Sequence, residues 1–409
     1  MPASVPKHRV DLVITGAAEL LTCAADASDL IGRIRGGGVA VDGGTITAVG
    51  DVSGFSGRRE IDATGKVVLP GFVDSHTHVV FGGDRALEYA AKVAGQVPPS
   101  GASVGIVGTM ADTRAQSVDE LVQSAAGRIK EMISSGTTTL ESKTGYGLDT
   151  ATEERLLEVN ARLAALLPAR IMSTYLGAHA IDPQRDGAAW TEDILAQLTE
   201  VGREGSAAFN DVYCDTGYFS LEQSRKILEQ GQRHGLRPKI HLDAYSHTGA
   251  AELAAAVGAV SADHLNYTTD DELRALAKAG VTGVYMPCLE FAVQHPAPLD
   301  PRRLYAAGME VALATDVCPG SWTTSMHLAV AMGCRIGGMT VAQALRAATY
   351  GGACALGLSA TIGSLVPGMG ADIQVLDVPF YEHIAYRPGR NSTQTVIING
   401  SIVKGAGVE

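Results

Sequence analysis

The central part of this 409-residue chain repeats a pattern that few folds can accommodate. Short apolar runs alternate with longer amphipathic stretches of helical periodicity, such as "ATEERLLEVNARLAALL" and "LEQSRKILEQGQRHG". In chain order, the apolar runs include "TTTLESK", "ARIMSTYLGAH", "AAFNDVYC", "RPKIHLDA", "VSADHL", "VTGVYMP" and "EVALATD". Strands that alternate with helices pair in parallel, and eight such units predict a closed (β/α)8 TIM barrel, an α/β fold. An open doubly wound sheet is the alternative, but no GxGxxG follows the first barrel strand.

The two ends of the chain have a different pattern, which is typical of short strands and tight turns. The first seventy residues contain "VDLVITGA", "GGVAVDGGTITAVG" and "REIDATGKVVLP", with Gly-Gly and Asp-Gly at hairpin positions. The same pattern of alternating apolar residues and turn residues recurs near the other end, in "GADIQVLDVP" and "TQTVIINGSIVKG". We therefore predict a small composite β-sandwich domain from residues 1–70 and 365–409, and a (β/α)8 hydrolase barrel from residues 71–364.

Charge and composition exclude several classes of function. The formal net charge is -12 and charged residues are well mixed, so no basic surface is available for DNA, RNA or anionic lipid. The start, "MPASVPKHRVDLVITGA", lacks the pattern of a secretory signal, and no apolar run has transmembrane length. We expect a cytoplasmic protein that binds neither nucleic acid nor membrane. Its six cysteines show no CxxC pairing, which favours reduced thiols.

Polar residues at the ends of the predicted barrel strands indicate where chemistry takes place. Reactive side chains of such barrels lie at the carboxyl ends of the strands. His76 and His78 occur in "GFVDSHTH", His241 in "PKIHLDA", His264 in "VSADHL" and Asp316 in "VALATD". Because alternate residues of a strand point the same way, His76 and His78 can both face one point in the barrel mouth.

Three histidines and one aspartate can hold a divalent metal ion with an open position for water. Imidazole and carboxylate ligands suit zinc or iron, and such an ion lowers the pKa of water toward about 7. We predict one metal ion held by His76, His78, His241 and Asp316. His264 is predicted to transfer protons beside it, together with Asp316. Each residue alone has an ordinary structural explanation, such as a helix cap for Asp316, so the prediction depends on their shared position at strand ends.

The motifs at these positions resemble those of the amidohydrolase superfamily: "PGFVDSHTH", a histidine after the fifth strand, "SADH" and "ATD". Within it, "HTHVVFGGDR", "TRAQS", "SSGTTTLESKTGYGLD", "STYLGAHAI", "SADHL" and "LATDVCPGS" are similar in order and spacing to the imidazolonepropionase family. The resemblance covers almost the whole chain. It implies a barrel with a split sandwich domain, hydrolysis of a small heterocyclic substrate at a cyclic amide C–N bond, and a homodimer.

The same resemblance implies several residue roles. Arg85, Tyr146 and His179 would line the substrate pocket, and Arg85 could hold a carboxylate by a bidentate contact. In some relatives a carboxylated lysine bridges two metals. Here the residues around Lys143, "ESKTGYG", match the family type that uses one metal, so we predict a mononuclear site.

The chain departs from the family pattern in the residues that contact substrate. Ala244, in "HLDAYSHTGAAELA", stands where the family has an acidic residue that contacts the substrate ring. Pro98 or its neighbours replace a tyrosine, and Cys318 replaces an asparagine. Trp322 is predicted to contact substrate, and with Tyr245 and Phe291 it could make the pocket more apolar. The substrate is therefore not fixed as imidazolonepropionate.

Two other functions remain open at this stage. A metal-dependent deaminase of an aminated heterocycle would share every predicted metal ligand and differ only in its pocket. A non-catalytic, metal-containing binding protein is the alternative from a different class. His264 and Asp316 argue against that alternative, because a binding protein does not need proton-transferring groups beside its metal.

Overall fold

The computed structural model describes residues 7–405, so the predicted domain ends at residues 1–6 and 406–409 lie outside the described range. The strands are β1 (His8–Leu21), β2 (Arg33–Asp42), β3 (Thr45–Gly50), β4 (Phe55–Asp62), β5 (Val67–Pro70), β6 (Phe72–Asp74), β7 (Thr137–Lys143), β8 (Arg170–Ala178), β9 (Phe209–Cys214), β10 (Arg237–Pro238), β11 (Ile240–Leu242), β12 (Ser261–His264), β13 (Thr282–Tyr285), β14 (Val311–Leu313), β15 (Ile373–Leu376), β16 (Thr393–Ile398) and β17 (Ser401–Lys404).

The helices lie mainly between the strands of the central region. They are α1 (Ala86–Val93), α2 (Gly105–Ala115), α3 (Val118–Ser134), α4 (Thr150–Leu166), α5 (Gly187–Glu204), α6 (Leu221–Arg233), α7 (Ala250–Ala256), α8 (Asp270–Lys278), α9 (Pro287–Val293), α10 (Pro301–Ala306), α11 (Met326–Arg335), α12 (Val341–Arg346), α13 (Gly352–Ala355) and α14 (His383–Tyr386). A π-helical turn, Ala347–Gly351, joins α12 to α13. Several helices begin at a side-chain cap; Ser117, for example, forms a reciprocal capping box with Glu120 at the start of α3.

Eight parallel strands form the barrel, in the order β6, β7, β8, β9, β11, β12, β13 and β14. The short β10 also pairs with β9, just before β11. Backbone hydrogen bonds beyond the last and first strands bring the ends of the barrel together. The N–H of Asp316 donates to the carbonyl of His76 at 3.1 Å, and the N–H of His78 donates to that of Val317 at 2.9 Å. The predicted (β/α)8 barrel is confirmed.

The terminal segments form a separate eight-stranded sheet. The long strand β1 pairs with β2, β4 and β5, while β15 joins β5 to β16 and so brings the two chain ends together. The register of β1 shifts between Ile14 and Ala17, where Gly16 has a φ of 70°. Apolar residues from both ends share one core, among them Leu12, Val39 and Ile373. The β domain predicted from both chain ends is confirmed; the sequence predicts it as a sandwich, and its strands form one hydrogen-bonded network because β1 is shared.

Two further features concern the described chain as a whole. Between residues 7 and 405, no helix combines the length and the apolar character that crossing a membrane requires. All six cysteines lie in this range as free thiols. The division of the chain into domains at residues 70 and 365 stays a prediction.

The first prediction concerns the packing of α13 against the barrel. A Cβ added at Gly352 would collide with the backbone carbonyl of Val73 in β6, whereas a Cβ at Gly127 in α3 would meet no atom within 4 Å. We expect Gly352→Ala to lower the free energy of unfolding by about 1–3 kcal/mol, because a close-packed contact would have to open. Gly127→Ala, the control, should be neutral or stabilising by up to about 1 kcal/mol. Urea denaturation measures both, and equal stability of the two variants would contradict the described packing.

Candidate metal centre

The structure brings the five residues predicted from strand ends into one cluster at the barrel mouth. The ring centroids of His76 and His241 lie 4.6 Å apart, those of His76 and His78 5.3 Å, and those of His241 and His264 5.2 Å. Asp316 Oδ1 lies 3.8 Å from Nε2 of both His76 and His78. His264 and Asp316 have left-handed backbones, with φ of 80° and 48°. Such strained positions are common at functional sites.

The donor atoms of this cluster fit a divalent metal ion. One nitrogen from each of His76, His78 and His241 lies within 4.8 Å of the others, and His76, His264 and Asp316 form a second such group. Within residues 7–405, Nε2 of His76 and Nε2 of His241 are buried without a hydrogen-bond partner. A buried polar atom without a partner is costly, and a metal ion would satisfy both nitrogens. Imidazole with carboxylate is a donor set suited to zinc or iron.

Burial sets the protonation of these groups. It lowers the pKa of His76, His78 and His264 well below the ordinary value, so these imidazoles are neutral near pH 7. Neutral imidazole is the form that binds a metal ion. Burial also raises the pKa of the Asp316 carboxyl to about 7, against the opposing effects of His241 and Lys143.

Two aspartates brace the predicted histidine ligands from behind. Nδ1 of His76 lies 2.6 Å from Oδ2 of Asp263, and Nδ1 of His241 lies 3.0 Å from Oδ2 of Asp211. A carboxylate at one ring nitrogen holds the imidazole in the tautomer that leaves the other nitrogen free for a metal. His76 is held in this way by a hydrogen bond at Nδ1, which leaves its Nε2 free in the barrel mouth, whereas Asp211 lies beside His241 as a charge partner.

A buried ammonium group holds these two aspartates in place. Lys143 Nζ lies 2.6 Å from Asp211, 3.0 Å from Glu141 and 3.5 Å from Asp263. Lys239 Nζ lies 2.8 Å from the other oxygen of Glu141. Although burial opposes it, the charges of Asp211, Glu141 and Asp263 raise the pKa of Lys143 above its ordinary value, so the side chain is charged. Lys143 is thus a charged side chain engaged with carboxylates.

The supporting residues Asp211, Asp263 and Glu141 are not among the residues predicted from the sequence, although the sequence carries a signal for them. Strands β7 and β9 are buried at every position and still carry charged residues, in "TTTLESK" and "FNDVYC". Because a buried charge requires a partner, charged residues inside apolar barrel strands predict a charge network across the barrel.

Tyr146 and His179, which the resemblance placed in the substrate pocket, adjoin the metal cluster. The ring of His179 stacks on His78 at 4.8 Å with an interplanar angle of 10°, and Tyr146 lies 5.2 Å from His179. Nδ1 of His179 lies 3.0 Å from the carbonyl oxygen of Gly145, so this nitrogen carries the proton. Burial lowers the pKa of His179 to about 3, so the ring is neutral and its Nε2 is a hydrogen-bond acceptor. Nε2 of His179 is thus suited to accept a hydrogen bond from a substrate N–H group.

Arg85 and Trp322 lie at the rim of the site. They line a largely apolar groove of about 720 Å³ together with Tyr89 and Phe291. The Arg85 side chain is 13% exposed, and its Nε lies 3.6 Å from Glu88. Trp322 is 49% exposed, and the histidines of the cluster are not among the groove's lining residues. The structure therefore places Arg85 and Trp322 in a groove beside the histidine cluster.

Comparison with known proteins agrees with this geometry. Residues 67–403 match the Amidohydrolase family, which is well over half of the chain. The chain belongs to the amidohydrolase family. An imidazolonepropionase of Halobacterium salinarum is 40% identical over 416 residues, covering 97% of this chain and 99% of the relative. An imidazolonepropionase of Geobacillus kaustophilus is 40% identical over 421 residues, covering 98% of each. This amidohydrolase is therefore a metal-dependent enzyme that is imidazolonepropionase-like in sequence.

Solved structures show the same fold at much lower sequence identity. An adenosine deaminase from Xanthomonas campestris with bound zinc has a TM-score of 0.76 and 18% identity, covering 98% of this chain and 94% of its own. An atrazine chlorohydrolase from Arthrobacter aurescens, complexed with zinc, has a TM-score of 0.73 and 16% identity, covering 96% and 95%. At such identities the likeness concerns the fold of this amidohydrolase.

The second prediction concerns the support behind His76. Asp263→Asn removes the negative charge from its Nδ1, and changes of this kind weaken metal affinity by about 10–100-fold. Asp119→Asn is the matched control, because the Asp119 side chain is 83% exposed. Competition with a chromogenic chelator measures both affinities, with circular dichroism as the check on folding. Equal affinities in the two variants would show that Asp263 does not support the ligand.

Proposed function

We propose that this amidohydrolase hydrolyses a cyclic amide C–N bond in a small nitrogen heterocycle and so opens the ring. The observation that carries the proposal is the buried cluster of His76, His78, His241 and Asp316, with His264 beside it. The relatives called imidazolonepropionase, at 40% identity over nearly the full chain, support the same reaction class.

We also propose which metal ion the enzyme requires and which residues hold it. One zinc or iron ion would be held by His76, His78, His241 and Asp316. Such an ion acts as a Lewis acid that polarises a carbonyl and makes water nucleophilic near pH 7. The Lys143 ammonium group, engaged with three carboxylates, supports a single ion.

The chain's own side chains would move the protons and orient the ring. His264 would accept a proton from the attacking water, and this proton would pass by way of Asp316 to the ring nitrogen that leaves. Water is thereby added across the C–N bond, which gives a carboxylate and an open-chain nitrogen. His179 would accept a hydrogen bond from the substrate, with Tyr146 beside it. Arg85 would hold a substrate carboxylate at the rim.

The proposed substrate class is wider than imidazolonepropionate, because the pocket lacks the acidic side chain that the family resemblance implies at position 244. Ala244 offers only a buried methyl group, and its carbonyl accepts a hydrogen bond from Nε2 of His295 at 2.9 Å. Trp322 and Phe291 make the rim groove apolar. A homodimer and a cytoplasmic location stay predictions.

The third prediction tests the proton-transfer role. His264→Asn should lower kcat by about 10²–10⁴-fold, because general acid–base catalysis contributes that much. Metal content should stay unchanged, since His264 is not one of the four proposed ligands. His8→Asn is the control, because His8 is exposed on the terminal sheet. An active His264→Asn variant would refute the role.

The fourth prediction tests the metal site and the reaction together. Purified protein should contain close to one zinc or iron ion per chain, and chelation should abolish activity until metal is restored. His241→Ala should lose both metal and turnover. A panel of imidazolonepropionate, hydantoins, lactams and aminated heterocycles identifies the reaction. Ring opening supports the proposal, whereas ammonia release without ring opening would identify a deaminase, and an active metal-free variant would overturn the metal role.

A further inference from the structure

Three tyrosines line one side of the barrel mouth, and the mechanism proposed above uses none of them. Tyr213 lies in β9, Tyr218 in the turn that follows it, and Tyr245 in the loop after β11. We call these residues the tyrosine wall. Tyr213 is 6% exposed, Tyr218 is half-buried and Tyr245 is 49% exposed, so the wall runs from the histidine cluster to the solvent. The rings of Tyr213 and Tyr218 stack at 4.0 Å with an interplanar angle of 29°.

Tyr213 is the member of the wall that reaches the reaction centre. Its ring centroid lies 5.6 Å from that of His241 and 6.2 Å from those of His179 and His264. Alternate residues of a strand point to the same side, so Tyr213 follows Asp211 on the inward side of β9. Tyr213 therefore lies two residues nearer the carboxyl end of β9, and so nearer the solvent, than Asp211, which contacts His241.

The hydroxyl of Tyr213 is free to contact a bound molecule. Among residues 7–405 it has no hydrogen-bond partner, and it is not among the polar atoms that are buried and unpaired. Burial, followed by the effects of Tyr218 and Asp215, raises the pKa of Tyr213 well above its ordinary value. The hydroxyl thus keeps its proton and can both donate and accept a hydrogen bond.

The Asp215 carboxylate, two residues after Tyr213, is already hydrogen-bonded within the protein. It accepts hydrogen bonds from the N–H of Thr216 at 2.7 Å and the N–H of Tyr245 at 2.8 Å, and from the Ser246 hydroxyl. These contacts tie the loop after β9 to the loop after β11. Asp215 therefore holds the tyrosine wall together and has little capacity left for a substrate.

Asp243, on the next loop, is occupied in the same way. Its carboxylate accepts hydrogen bonds from the N–H of Thr248 and from the hydroxyl of Thr268, both at 2.8 Å. Ala244 beside it is 1% exposed and carries no polar side-chain atom. On this side of the mouth, Tyr213 therefore offers a polar group that no described protein contact uses.

We propose that Tyr213 is a specificity-determining residue whose hydroxyl hydrogen-bonds a heteroatom at the edge of a planar substrate ring. The proposal rests on the function proposed above and narrows its substrate class. Rings with a second heteroatom at that edge, such as imidazolones and hydantoins, are preferred to lactams that lack one. A site that hydrogen-bonds a substrate atom discriminates strongly against an analogue without it, because the protein group is left unpaired.

The test compares Tyr213→Phe with wild type on matched rings that do and do not carry the second ring nitrogen. We expect kcat/KM to fall about 10–100-fold for hydantoin-type rings, because the ring heteroatom loses its partner, and to change less than about 3-fold for the matching lactam. Tyr386→Phe, in which the altered residue is 78% exposed, is the control. Metal content and circular dichroism should match wild type in both variants.

The outcomes separate this proposal from the proposed function. An equal loss on both rings would make Tyr213 a structural residue, and no loss on either would remove it from the pocket. If metal-loaded wild type opens no ring of the panel, ring-opening hydrolysis is wrong, and calorimetric binding of the same rings then decides the role of Tyr213. Binding that weakens in Tyr213→Phe only for the two-heteroatom ring supports the role. Absent or unchanged binding overturns it.

Discussion

The burial of the Lys143 ammonium group is the constraint on which the rest of the site depends. Taking an ammonium ion out of water costs several kcal/mol, and only well-placed carboxylates can offset that cost. Glu141, Asp211 and Asp263 meet this requirement at 3.0, 2.6 and 3.5 Å. Two of them also contact His241 and His76, so the carboxylates that neutralise the buried ammonium group also lie against two proposed metal ligands.

Closure of the barrel and assembly of the metal site use the same short segments. The backbone of Asp316 donates to His76, and the backbone of His78 donates to Val317, at the point where the last strand meets the first. The Asp74 carboxylate accepts from the N–H of Thr315 at 3.1 Å and adds a side-chain contact across this junction. Three of the four proposed ligands are therefore positioned by the contacts that join the barrel's ends, so disturbing this junction would disturb the metal geometry as well.

The residues at the base of the site lie on strands, whereas residues predicted to contact substrate lie in loops. The proposed ligands and the residues that brace them lie on strands or directly after them, where the hydrogen-bonding of the barrel limits movement. Two of the positions predicted from the resemblance to depart from the family pattern, Ala244 and Cys318, lie in loops that follow strands, and Pro98 lies between α1 and α2. Loops can change without loss of the fold, which allows an amidohydrolase to keep its reaction class while its substrate contacts change.

The sequence by itself determined the fold class and the cluster of proposed metal ligands. Apolar runs alternating with amphipathic helices require parallel strands, and the strand ends of a closed barrel converge, so His76, His78, His241, His264 and Asp316 had to meet. Only the tertiary structure decided which groups support and surround them. The contacts of Lys143 with Asp211 and Asp263 join different strands, and their distances depend on the stagger of the barrel. For the same reason Tyr213 reaches the histidines, whereas Arg85 and Trp322 line a groove beside them: side-chain direction at a strand end is set by packing, which local sequence patterns do not specify.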